Sequence, residues 1–367
     1  MAESFQEFQP AHSPLYMVMQ DPVLHQFISY LAEKRRQQEE DPATHLRIEL
    51  SRDFITRVRE SFKKQIIRGE FRLHMLAQIL ATHFFHDAFD LHSNAIGVLP
   101  GGERRPFLIR ERISRETLFT QTDLDLGNQM LGNFRYRTDD GWAALELSAN
   151  YVEYIPQMRT GLSVNRLTSR VKAEEEIWNK VTDELFGVDM LVQRDKHLQR
   201  YSKYVKDVFG IKIVCEDEAA CWDVHKQLSR LLSRECDFGV MDRYAEATLF
   251  QNPQSAEALL LDFVETKDYL TCEPSRMKKT GWKAIKSVVR WGEQMFEVQI
   301  QPLTNYYLEV DHMSGPSHQS FKLTRESFRK EIAARIPLYG FYQDMLRMMF
   351  LSEVVSYEYG NASVVIE

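Results

Sequence analysis

Apolar residues recur every three or four positions between Ser51 and about Phe89, at Phe54, Val58, Phe62 and Ile66 and again at Leu73, Leu76 and Leu80. That period sets them on one helix face, and a glycine interrupts the run, so two helices joined near Gly69 are predicted, the first capped by Ser51. After Pro100, Gly101 and Gly102 the rhythm shortens. NFRYRTDDGWAALELS reads as two strands around the turn Asp139-Asp140-Gly141. Residues 1–160 are therefore expected to form a separate mixed α/β amino-terminal domain.

Beyond residue 160 the pattern predicts helix over 171–186, a short apolar strand over Phe209–Cys215 and helix over Ala219–Leu232. Strands follow over Asp268–Cys272, Ala284–Trp291 and Met295–Gln301, then a long helix over Thr324–Phe350, entered through Thr324-Arg325-Glu326-Ser327. In the third strand Phe296, Val298 and Ile300 alternate with Glu297, Gln299 and Gln301. One face is thus buried and the other carries a carboxylate and two amides. Helix, strand, helix and then a run of strands is an α+β core, a mixed sheet flanked by helices, in which polar strand residues can face a cleft.

Composition bounds the class. The 367 residues are 44% hydrophobic, 11% aromatic and 27% charged, which describes a globular chain of about two domains and excludes a collagenous or disordered one. No apolar run reaches the roughly 18 residues of a membrane span, and the start, MAESFQEFQP, lacks a basic region and an apolar stretch, so a cytoplasmic protein is expected. Cys215, Cys221, Cys236 and Cys272 form no Cys-x-x-Cys and read as buried thiols. The formal net charge is -7, yet residues 271–290 carry +5, with Arg276, Lys278, Lys279, Lys283, Lys286 and Arg290 against Glu273. The total therefore does not exclude a local site for phosphates.

Candidate chemistry gathers in the same half. Arg170 and Lys172 precede a helix that carries Lys180, Asp207 precedes a buried strand, Lys267 and Asp268 open another, and Glu297 lies mid-strand on a polar face. Carboxylates on neighbouring strands, ringed by lysine and arginine, are what a magnesium ion with a bound polyphosphate requires. Taken singly, Asp207 is a turn residue, Glu297 the solvated face of an edge strand, and the lysines of 278–286 a solvated loop. Their order along the chain favours the site.

Four blocks carry a family resemblance: SRVKAEEEIWNK (169–180), KDVFGIKIVCED (206–217), TKDYLTCEPSRMKKTGWKAIKSVV (266–289) and EVQIQPLTNYYLEVDH (297–312). In this order they resemble the RelA/SpoT-type pyrophosphokinase domain, the synthetase of (p)ppGpp alarmones, over about residues 163–323. The resemblance implies a nucleotidyltransferase-like fold over 161–323, residues 324–367 packed on it as a helix and tail, and transfer of the β,γ-pyrophosphate of ATP to a ribose 3′-hydroxyl. It implies that Arg170, Lys172, Lys180 and Lys278 bind ATP, and that Asp207 and Glu297 hold Mg2+. Lys267 would steady the transferred group, with Trp282, Lys286 and His312 (or His318) on the acceptor. Glu176, Thr280 and Lys286 depart from the family's serine, asparagine and histidine.

Three readings stay open. The acceptor is a guanosine nucleotide, GDP or GTP, or it is the 3′ end of tRNA, as in toxin-like members; or the domain is an inactive pseudo-synthetase that senses nucleotide or RNA. Residues 1–160 would regulate it, bind a protein partner or self-associate. His74, His83, His86-Asp87 and His92 invite comparison with the HD hydrolase of alarmone enzymes, but His74 and His86 stand too close for that fold, so no hydrolase is expected. GGERRPFLIRER (101–112) reads as a loop and strand edge, or as arginines for an RNA backbone or acidic partner.

Overall fold

The structure, a computed structural model, describes residues 21–99, 106–138, 141–158, 161, 163–172, 174–186, 208–230, 262–271, 282–291, 294–314, 327, 329–351, 353 and 355–367. In chain order the elements are α1 (Pro22–Glu40), β1 (Leu46–Leu50), α2 (Arg52–Phe85), β2 (Phe89–Val98), β3 (Pro106–Ile113), α3 (Arg115–Thr120) and α4 (Asp123–Gly132). There follow β4 (Arg135–Thr138), β5 (Gly141–Ala144), β6 (Glu146–Pro156), β7 (Val164–Val171), α5 (Glu174–Leu185), β8 (Phe209–Cys215) and α6 (Glu218–Arg230). The last are β9 (Asp262–Asp268), β10 (Ile285–Trp291), β11 (Gln294–Pro302), α7 (Leu303–Ser314), α8 (Tyr339–Leu351), β12 (Tyr357–Tyr359) and β13 (Ala362–Ile366). Among the described residues no helix is long and apolar enough to cross a membrane.

The chain divides into two compact units, one of Met1–Arg68, Lys172–Asp207 and Phe321–Glu367, the other of Gly69–Val171 and Val208–Ser320. The expected boundary near residue 160 therefore lies inside the second unit. β6 and β7 pair across it, from Val152 opposite Ser169 to Tyr154 opposite Leu167.

In the first unit, Asp21 caps α1 by accepting from the backbone N–H of Val23 and Leu24 at 2.9 and 3.1 Å, with Pro22 in the first turn, where its missing N–H costs nothing. Leu24, Phe27, Ile28 and Leu31 bury the α1 stripe. β1 pairs in parallel with β13, and β13 pairs antiparallel with β12. Trp178 of α5 stacks on Phe350 of α8 with ring centroids 3.5 Å apart. The single helix expected over Thr324–Phe350 is broken: residues 329–335 are helical, Pro337 restricts the residue before it, and Leu338 takes φ 66° before α8 begins. Thr324, Arg325 and Glu326 lie outside the described residues.

The second unit is built on an eight-stranded mixed sheet in the order β3-β2-β6-β7-β8-β11-β10-β9, in which only β8 and β11 run parallel. Phe209, Ile211 and Ile213 of β8 and Phe296, Val298 and Ile300 of β11 bury one face, on which α6 packs with Cys221, Val224 and Leu228. Cys215 and Cys221 are buried free thiols; Cys236 and Cys272 lie outside the described residues. The hairpin expected around Gly141 forms, with Thr138 opposite Gly141, and stands apart from the large sheet.

Two expectations need correction. α2 is continuous from Arg52 to Phe85 and is not a pair of helices. Gly69 does not break it: a Cβ at that position would collide with the Phe209 ring, so the glycine serves close approach of helix and strand. The strand expected to begin at Asp268 ends there. The Asp268 carboxylate accepts from the backbone N–H of Leu270 at 2.7 Å and of Thr271 at 3.2 Å, closing a turn instead of extending the ladder.

Candidate functional site

The other face of the sheet is polar, and register decides which side chains share it. Successive pairings carry one row across all eight strands: Lys267, Lys286, Gln299, Lys212, Thr168, Glu153, His92 and Arg112. The next row on the same face is Glu265, Val288, Glu297, Gly210 and Arg170. Side chains two apart along a strand point the same way, so Glu297, Lys286, Lys267 and Arg170 stand on one surface of adjacent strands.

Glu297 is only 4% exposed. Its carboxylate forms an ion pair with Lys286 and accepts from the side-chain amide of Gln299. Lys267 pairs with Glu265 at 2.5 Å, and Arg170 is exposed at the end of its row. A buried carboxylate among cations supplies the hard oxygen donor that a magnesium ion takes, and the donor chemistry fits. Lys286 already holds one oxygen of that carboxylate.

α7 crosses this face. Glu309 stands about two turns into α7, which folds back over β11, and it accepts from Lys212 Nζ at 2.7 Å, Gln301 Nε2 at 2.9 Å and Trp282 Nε1 at 2.9 Å. Burial alone would raise the Glu309 carboxyl; the Lys212 charge and these three hydrogen bonds outweigh it, and the carboxyl lies below its ordinary value. Trp282 is half-buried, its ring edge-on to Tyr269 at 5.7 Å. Its N–H is committed to Glu309, which fixes the indole plane. One turn earlier on α7, Tyr306 donates to Glu153, a buried carboxylate that also meets Arg166 at 3.1 Å, Asn94 at 3.3 Å and Arg110 at 3.4 Å. Burial, then the neighbouring Tyr151 and Glu153, raise the Tyr306 hydroxyl.

The remaining sequence candidates are dispersed. Lys172 and Lys180 belong to the first unit, Lys180 buried on α5; His312 lies in α7; Asp207, Lys278, Thr280 and His318 lie outside the described residues. Of the tempting histidines, His86 and Asp87 form a turn with φ of 52° and 61°, and His92 sits on the polar face, far in register from the Glu297 row's centre. Sequence reasoning missed Glu265, Lys212 and Glu309. Glu265 was legible as the same-face neighbour of Lys267 two positions away, had the strand been placed correctly; Tyr306 and Glu309 share a helix face by their three-residue spacing.

No family model matches the chain, and no curated protein does. Solved structures to which it is similar include the small alarmone synthetase 1 from Bacillus subtilis bound to its product pppGpp, at 15% identity over 51% of this chain and 73% of that one, with a TM-score of 0.21. A protein from Streptococcus mutans UA159 is similar at 15% identity over 51% of this chain and 74% of its own, with a TM-score of 0.23.

Proposed function

We propose that the polar face of the second unit binds ATP and transfers its β,γ-pyrophosphate to the 3′-hydroxyl of a guanosine nucleotide, making a (p)ppGpp-like product in the cytoplasm. The observation that carries this reading is the register that sets Glu297 and Arg170 in one cross-strand row and Lys286, Lys267 and Lys212 in the next. In the transfer, the 3′-hydroxyl loses its proton to solvent or to a carboxylate, its oxygen bonds to the β-phosphorus, the bond from that phosphorus to the α–β bridging oxygen breaks, and AMP leaves with the bridging oxygen. Little covalent chemistry falls to the protein, which positions the reactants and neutralises charge. Arg170, Lys267 and Lys212 would hold phosphate oxygens, and Glu297 would hold Mg2+ or orient the attacking hydroxyl. When bound, Mg2+ supplies charge neutralisation at the transferring phosphates. The indole of Trp282, its N–H held by Glu309, offers a face to the acceptor base.

The Lys286–Glu297 ion pair favours a second reading, because it engages the carboxylate that chemistry needs. In that reading the face binds nucleotide without turnover. Labelled ATP, Mg2+ and, in turn, GDP, GTP, ATP and deacylated tRNA separate the cases. Transfer to a guanosine nucleotide, reduced at least 100-fold in folded Glu297→Gln and Lys267→Met proteins, supports the first reading. Transfer to tRNA alone changes the acceptor. Binding of ATP without transfer to any acceptor supports the second, and undiminished transfer by Glu297→Gln removes this face from the reaction.

A further inference from the structure

On the opposite, apolar face of the same sheet lies a cluster that the pyrophosphokinase reading does not use. Glu70 and His74 are one helical turn apart on α2, and Asp123 is the first residue of α4. All three are buried, at 5%, 1% and 3% exposure. His74 Nε2 stands 3.1 Å from Asp123 Oδ1 and 3.7 Å from Glu70 Oε1. One donor atom from each residue lies within 4.8 Å of the other two.

We infer that Glu70, His74 and Asp123 form a structural site for a divalent transition ion of the zinc class, joining α2 to α4 beneath β7. Donors at about 2.0–2.1 Å from a tetrahedral ion are separated by about 3.3 Å, and the observed spacings bracket that value. The ligand atoms are also pre-oriented. The Ser169 hydroxyl lies 3.5 Å from His74 Nδ1, which leaves Nε2 for the cluster, and the Asp123 backbone N–H donates to Glu70 Oε1. Asp123 Oδ2 is moreover buried and meets no hydrogen-bond donor among the described residues. A buried carboxylate oxygen left in that condition is expensive unless a cation takes it. Two carboxyl groups and one imidazole at these spacings offer a dication three donors and the charge to balance it. An imidazole donor and a dry setting suit zinc better than magnesium, which keeps oxygen ligands and water.

The test uses the full-length protein, stripped with chelator and titrated with ZnCl2, with metal counted by mass spectrometry. We expect one zinc per chain, a rise in melting temperature on adding zinc, and with CoCl2 the visible bands of a low-symmetry tetrahedral site. The near-isosteric Asp123→Asn and Glu70→Gln proteins should each bind at least tenfold more weakly and lose the cobalt bands, while a surface-histidine control, His25→Gln, should not. Stripped wild-type protein that stays folded, takes up no zinc at tens of micromolar and shows no change in melting temperature would overturn the inference. So would uptake of unchanged affinity in both variants. Should both variants fail to fold, the zinc-dependent melting shift of the wild-type chain decides alone. None of these readouts involves ATP.

Discussion

Replacing Glu309 by glutamine tests whether α7 is clamped to the polar face by charge. The carboxylate side chain is 23% exposed and Lys212 is 31% exposed, so the pair is neither fully buried nor free in solvent. A hydrogen bond to a charged partner contributes about 1.5–3 kcal/mol when desolvated, and an exposed ion pair about 0–1. The amide introduced by Glu309→Gln would keep an acceptor for Trp282 or Gln301 and lose the attraction to Lys212, so the expected loss is about 1–2 kcal/mol near neutral pH. The sign with pH follows from the depressed carboxyl, whose ordinary value is 4.5. A carboxylate held low in the folded state contributes stability above the unfolded value, and that contribution is lost as pH falls through the lower folded value. The penalty of Glu309→Gln should therefore be full at pH 7 and shrink steadily below about 4.5. Urea unfolding of wild type, Glu309→Gln, Lys212→Met and the double variant, repeated from about pH 7.5 to about 2.5, gives both the loss and the coupling between the two residues. A penalty that is independent of pH, or a coupling of zero at pH 7, would refute the clamp.

Other perturbations probe neighbouring features. Gly69→Ala forces a methyl against the Phe209 ring, an overpacking cost of about 1–3 kcal/mol offset by up to about 1 kcal/mol of helix propensity. A net loss of about 1–2 kcal/mol in urea unfolding is expected, relieved by Phe209→Leu; a stabilised Gly69→Ala would deny the contact. Lys286→Met leaves the buried Glu297 carboxylate without its cation and should destabilise by about 2–4 kcal/mol, with part of the loss recovered on adding MgCl2. No recovery with magnesium would count against Glu297 as a metal ligand. Trp282→Ala should raise the acceptor KM by about 5- to 100-fold with the ATP KM unchanged, since one base stack is worth about 1–3 kcal/mol. Equal changes in both constants would mean that the indole only supports the fold.

The alternation of Glu297, Gln299 and Gln301 with Phe296, Val298 and Ile300 was readable because it is local, and β11 follows it with the apolar set buried. What lies beside Glu297 is not local. Lys286 and Arg170 reach it only through pairings between segments separated by 11 and 127 positions, and a shift of one residue would send either to the other face. For the same reason the pairing of β6 with β7, which joins residues on either side of position 160, shows in no local pattern. Gly69 shows the converse failure, where a correct local rule for a helix breaker yields to a tertiary contact with Phe209.

The fold also changes how the charges on the polar face are to be read. The sequence suggested a cationic patch awaiting phosphate, but the fold pairs the cations already: Lys286 with Glu297, Lys267 with Glu265, Lys212 with Glu309 and Arg166 with Glu153. Pairing holds the lysines and arginines along one surface at a small net charge, which keeps the face compatible with a chain of formal charge -7. For a polyphosphate to bind there, phosphate oxygens must replace carboxylate oxygens as partners, and each displaced carboxylate then needs a new cation. On the proposed reading, a magnesium ion arriving with the nucleotide would meet that need at Glu297, so nucleotide and metal should bind together more tightly than either does alone. Titration of ATP by calorimetry with and without MgCl2 reads this coupling directly. Affinity gained with magnesium in wild type and lost in Glu297→Gln is the expected result; equal affinity under both conditions would mean that the ion pairs stay closed and the nucleotide lies elsewhere.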